Sequence, residues 1–173
     1  MFRELQSPGS SFPQDFGPKV NFKKKKVNIA SFSGFPRFSQ AVVEKFSTVD
    51  SLHGFLPVEL CDLEYTPERG SAIDPHIDDV WLWGERLVTL NLLSSVVLTM
   101  SKAGTEVHVD MPRRSLVVVM GPSRFVWQHC VKREHVTSRR LAMTFRELSN
   151  EFLAEGEQED LGRSLLDIAQ NYR

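Results

Sequence analysis

Between residues 58 and 65 the chain reads Val-Glu-Leu-Cys-Asp-Leu-Glu-Tyr, apolar and polar by twos, as a strand with one buried face does. Thr66-Pro67-Glu68-Arg69-Gly70 turns the chain by its Pro and Gly, and residues 72–78 read as a short strand. Apolar, β-branched runs follow at 86–93 and 96–100, parted by Ser94-Ser95. Residues 105–109 alternate, Met111-Pro112-Arg113-Arg114 turns, and 115–120 is an apolar run of strand length. After Gly121-Pro122, residues 125–131 and 139–145 read as two more strands. Short strands at regular spacing predict a mainly β domain, built as a sandwich, jelly roll or barrel. Two helices flank it. Phe38, Val42, Val43 and Phe46 recur at helical spacing, and so do Leu161, Leu165, Ile168 and Tyr172 over 161–172. Residues 1–20 scatter Pro8, Gly9, Pro13, Gly17 and Pro18 among Ser and Phe, which reads as a coil arm pinned by Phe12 and Phe16.

Composition narrows this picture only a little. At 173 residues and 41% hydrophobic, the chain fits one domain with a real core. Its net charge of −1 gives no global field toward nucleic acid or membrane. The four lysines from Lys23 to Lys26 are expected on a solvated strand edge or loop, and they keep a local nucleic-acid patch open. No apolar run is long enough to span a bilayer, and residues 1–13 lack the apolar core of a secretory signal. Cys61 and Cys130 form no CxxC. A reducing intracellular compartment with both thiols free is therefore expected.

The chemistry concentrates in a few residues. His76-Ile77-Asp78 places an imidazole and a carboxylate two apart, so an extended segment aims both the same way. With a second histidine they make the two-His, one-carboxylate face that suits non-haem Fe(II) and leaves positions open. His129, among the apolar neighbours of 125–131, is the preferred candidate over His135, among Lys132, Arg133 and Glu134, though taken alone the one reads as a satisfied core histidine and the other as solvent-facing. On a strand over 139–146, Arg140, Ala142, Thr144 and Arg146 share one face and Leu141, Met143 and Phe145 the other. Arginines on an inward face need anions, and a dicarboxylate would give one carboxylate to each guanidinium. Salt bridges to Glu or Asp are the competing reading. Asp79, Trp81 and Trp83 follow the His-x-Asp and are candidates to line a substrate mouth, where Trp faces hold methylated ammonium groups or stack bases; burial of one or both Trp in the core is the competing reading.

As an ordered set, His76-Ile77-Asp78, then His129, then Arg140-x-Ala142-x-Thr144-x-Arg146, resembles the motif of the AlkB-type dioxygenases that use Fe(II) and 2-oxoglutarate. Residues 67–76 and 81–88 look most like the homologue-4 branch, and the resemblance covers nearly the whole chain. It implies a double-stranded β-helix (jelly-roll, cupin-like) core over 21–173. It also implies that His76, Asp78 and His129 bind iron and carry catalysis. Arg140 and Arg146 would then hold the two carboxylates of 2-oxoglutarate, with Tyr65 and Thr144 beside them. Two positions depart from the family pattern: Ala142 replaces the central Asn of the arginine motif, and Leu63 the Asn two before the tyrosine. The branch is usually longer, with a cysteine-bearing N-terminal segment, so a fragment or short variant is expected. The resemblance implies oxidative demethylation of methyl-lysine in protein, with actin as the associated substrate, in cytoplasm and nucleus. N6-methyladenine in DNA is the alternative substrate, and a non-catalytic binding module on the same fold the alternative function.

Overall fold

The structure is a computed structural model describing residues 14–173. In chain order its strands are β1 (Gln14–Phe16), β2 (Lys19–Asn21), β3 (Lys26–Asn28), β4 (Pro57–Tyr65), β5 (Ile73–His76) and β6 (Trp83–Leu92). β7 (Val96–Lys102), β8 (Thr105–Met111), β9 (Leu116–Val119), β10 (Gln128–Val131) and β11 (Arg140–Leu148) complete the set. The helices are α1 (Arg37–Phe46), the single turn α2 (Pro122–Phe125) and α3 (Glu159–Ala169). Five strands form one antiparallel sheet in the order β1-β4-β11-β6-β9, and four form a second in the order β5-β10-β7-β8. The expected mainly β jelly roll with flanking helices is the architecture observed.

Period-two alternation gives the larger sheet two different faces. Leu60, Met143, Phe145 and Val88 share the outer one, where α1 closes it by setting the Phe46 ring edge-on to Phe145, centroids 5.1 Å apart. α3 lies against β4 and buries Leu165. The inner face presents Glu59, Cys61, Leu63 and Tyr65 of β4 opposite Arg146, Thr144, Ala142 and Arg140 of β11, with Leu87, Thr89 and Asn91 of β6 on the far flank. The arginine face therefore points between the sheets.

Several boundaries differ from the sequence expectation. Residues 1–13 of the expected coil arm lie outside the described residues, but 14–20 are not coil. β1 pairs with the edge of β4, from Gln14 opposite Asp62 to Phe16 opposite Leu60, and the Phe16 ring meets Phe38. A three-residue strand is too short to show a period. Phe38, expected on the buried face of its helix, is 59% exposed while Ser39 is buried. Residues 122–125 make a helical turn because Pro122 pre-sets the first helical position, so β10 starts only at Gln128. The C-terminal helix spans 159–169 rather than 161–172, and Tyr172 forms an isolated bridge with Phe35 instead. Lys23 to Lys26 are all exposed, as expected.

One outer-face residue is a liability. Asp62 is 9% exposed, its Oδ1 has no partner among the described residues, and burial pushes its pKa up to about 6. The folded state thus holds the proton more tightly than the unfolded chain. Stability should fall as pH rises from about 4 to about 6 and stay low above that. Asp62→Asn is expected to remove this fall and to gain about 1 kcal/mol at pH 7.5, read from urea midpoints across pH 4–8.

Candidate functional site

The two sheets bring the sequence-predicted ligands together. His76, the last residue of β5, and His129, on β10, are register partners, with ring centroids 4.4 Å apart. Asp78 lies two residues past the end of β5, so it is the loop and not the expected strand that aims it. Its Oδ1 is 3.4 Å from His76 Nε2. One ligating atom from each of His76, Asp78 and His129 falls within 4.8 Å of the others. His76 Nδ1 bonds to the Asp74 carbonyl at 2.8 Å. As a donor there, it leaves the Nε2 lone pair directed to the shared point. Burial and the neighbouring His76 push His129 down to about 4, so it is a neutral imidazole near pH 7. His135 stands elsewhere, its ring against that of His108 at 5.4 Å.

Asp78 is held from two directions. Arg146 donates through Nε to Oδ2 at 3.1 Å, and its Nη1 donates to Glu59 Oε2 at 2.5 Å. Burial works against the Asp78 carboxylate, but Arg146 and His76 outweigh it and hold its pKa well below the usual range. From the other side Arg124, only 1% exposed, spreads its guanidinium over main-chain carbonyls. It reaches Asp78 at 2.9 Å, Asp79 at 2.8 Å, Trp83 at 3.1 Å and Gly84 at 3.0 Å. The Asp79 carboxylate closes the same loop by accepting from the Trp81 and Leu82 amides.

The two inward arginines are therefore not equivalent, as a symmetrical clamp would require. Arg146 is committed to Asp78 and Glu59. Arg140 donates Nε to Asn91 Oδ1 at 2.6 Å and lies over the Tyr65 ring at 4.7 Å, while its buried Nη1 has no hydrogen-bond partner among the described residues. Burial pushes the Tyr65 phenol up to about 12 against the pull of Arg140, so it is protonated at neutral pH. Thr144 pairs with Thr89 across the ladder, hydroxyls 3.2 Å apart. The residues fit both expected groups: two neutral-capable imidazoles and a carboxylate for a divalent metal, and a buried cation with an unused donor for a carboxylate.

Asp79, Trp81 and Trp83 do not line a mouth in the expected way. Trp81 is 7% and Trp83 2% exposed. The Trp81 indole donates to Glu151 and packs on Phe152, and Trp83 sits against Phe22 with Arg146 above its ring. Apolar burial outweighs display for both rings, and the Asp79 side chain is spent on its own turn.

No family model matches the chain. Two curated relatives, from Mus musculus and Homo sapiens, are both named "Alpha-ketoglutarate-dependent dioxygenase alkB homolog 4". They are 45% and 44% identical to it over 192 aligned positions, covering 92% of this chain and 64% of theirs. The chain belongs to the AlkB-type dioxygenases, in the homologue-4 branch. A relative from Caenorhabditis elegans named "DNA N6-methyl adenine demethylase" is 40% identical, over 94% of this chain and 58% of its own. The chain thus spans about three fifths of the length of these curated relatives. The solved structure of OsALKBH1 superposes with a TM-score of 0.53 over 82% of each chain at 14% identity, a likeness of fold alone. In this AlkB-type domain three buried residues had escaped the sequence reading: Glu59, Asn91 and Arg124. Alternation back from Tyr65 puts Glu59 on the inward face, a signal available in the sequence. Asn91 and Arg124 stand in apolar surroundings, and their partners are distant in the chain.

Proposed function

We propose that this chain is an Fe(II)- and 2-oxoglutarate-dependent oxidative demethylase. His76, Asp78 and His129 would hold the metal, and Arg140 would anchor 2-oxoglutarate by its far carboxylate. The observation that carries the reading is the ligand set between the same two sheets as an arginine whose Nη1 is buried and unused. Bound iron and 2-oxoglutarate supply the oxidising chemistry that hydroxylates an N-methyl group, with succinate, CO2 and formaldehyde as products. The chain's own residues hold and orient. Arg146 keeps Asp78 ionised and fixed, and is itself held in place by Glu59. Asp74 sets the His76 tautomer. Tyr65, protonated and 4% exposed, keeps water from the Arg140 face.

For the substrate we propose methyl-lysine in protein, with actin as the family-associated example, met in cytoplasm and nucleus. The near-neutral net charge supports a protein over a duplex, which basic stripes usually bind. The name of the Caenorhabditis elegans relative, together with the exposed Lys23–Lys26 run, supports N6-methyladenine in DNA as the second reading. Protein supplied with Fe(II), 2-oxoglutarate and oxygen is to be offered a monomethyl-lysine actin peptide and an N6-methyladenine oligonucleotide. Loss of one methyl group from the peptide, matched by succinate, is the expected result. Loss from the oligonucleotide alone would establish the second reading. No succinate with either substrate, and none without substrate, would leave a binding module.

A further inference from the structure

Asn91 stands directly opposite Ala142 in the β6–β11 ladder and is fully buried. Its Nδ2 donates to the carbonyls of Ser94, Met111 and Pro112 at 2.9, 2.8 and 2.9 Å. With three acceptors around the NH2 group, the amide has no choice of orientation, because a flip would press Oδ1 against carbonyl oxygens. The backbone is pinned too: Asn91 N donates to Ser115 O at 2.9 Å and Arg114 N to Asn91 O at 2.7 Å. Oδ1 is thereby fixed on Arg140 Nε, 2.6 Å away. An arginine side chain loses much rotamer freedom when it is ordered, and here that ordering is done before any ligand arrives. The partner is also a neutral amide. A carboxylate at 91 would grip Arg140 as well, but it would spend the charge that a ligand needs.

We propose that Asn91 is a positioning residue that presets the Arg140 guanidinium, leaving Nη1 for the distal carboxylate of the oxo acid, and so makes the site selective for a dicarboxylate. The inference rests on the reading of Arg140 as that anchor. Ala142 contributes by being small, since a larger side chain there would meet Asn91 across the ladder.

The test is calorimetric binding to the Mn(II)-loaded protein, with 2-oxoglutarate and with 2-oxopentanoate, which has the same carbon chain and no distal carboxylate. Wild type should prefer 2-oxoglutarate. Asn91→Ala should weaken 2-oxoglutarate about tenfold to a hundredfold and leave 2-oxopentanoate unchanged. In an Arg140→Met background the same substitution should change neither ligand. Asn91→Ser, whose hydroxyl can still donate to one of those carbonyls if the alanine variant does not fold, should also lose the preference, because the shorter side chain does not reach Arg140 Nε. Equal weakening of both ligands, or a preference that persists in either Asn91 variant, overturns the proposal while leaving the anchor reading intact. A wild type that binds both oxo acids alike overturns the anchor reading itself.

Discussion

His129→Ala should abolish divalent-metal binding at concentrations that saturate the wild type, a loss of more than about a hundredfold, since even residues that only orient a ligand cost ten- to a hundredfold. The geometry behind this is specific. Three ligating atoms from two histidines and one carboxylate lie within 4.8 Å of one another, and losing one imidazole leaves two, too few to hold a weakly bound ion such as Fe(II) or Mn(II). His135→Ala should leave affinity unchanged, because that ring meets His108 edge-on and takes no part in the cluster. Mn(II) titration followed by electron paramagnetic resonance reads the outcome. Retained metal in the His129 variant with loss in the His135 variant would mean that the ligand set is wrong.

Arg124→Met should be the most destabilising single substitution near the site, costing about 4 kcal/mol and lowering Tm by about 10 °C. Arg124 is 1% exposed, and it donates to the carbonyls of Asp78, Asp79, Trp83 and Gly84. Methionine fills similar volume but leaves those acceptors buried without donors. Arg124→Lys should recover little, since one ammonium cannot span a fan of carbonyls that a planar fork can. The loop that loosens is the one carrying Asp78, so metal affinity should fall in the fraction that stays folded. Differential scanning calorimetry with and without Mn(II) separates the two effects. A Tm within 2 °C of wild type would show that the carbonyl fan contributes little to the fold.

Both of these predictions turn on contacts between residues far apart in the chain, which local patterns do not show. The alternation at 58–65 was enough to place a half-buried strand, since period two needs only local chemistry. Likewise Arg140 and Arg146 on one face of a strand follow from spacing, whereas the approach of Asp78 to His76 comes from the loop after β5. The short β1 could not be seen, because its pairing partner at Leu60 to Asp62, not its own three residues, makes it a strand. For Trp81 and Trp83 the sequence leaves a substrate mouth and the core both open, because nothing nearby in the chain shows that Phe22, Phe152 and Glu151 enclose them.

By itself the sequence determined the strand and helix periodicities, the ordered ligand and arginine motif, and the family that this motif resembles, all of them properties of spacing along one chain. Only the tertiary structure decided that His129 rather than His135 joins His76 and Asp78, since β10 pairs in register with β5. It alone separated the two arginines, committing Arg146 to Asp78 and Glu59 and leaving Arg140 with an unused donor. The physical reason is that a buried charge takes its role from what is packed against it. Those neighbours are brought there by sheet register, which no local pattern in the chain encodes.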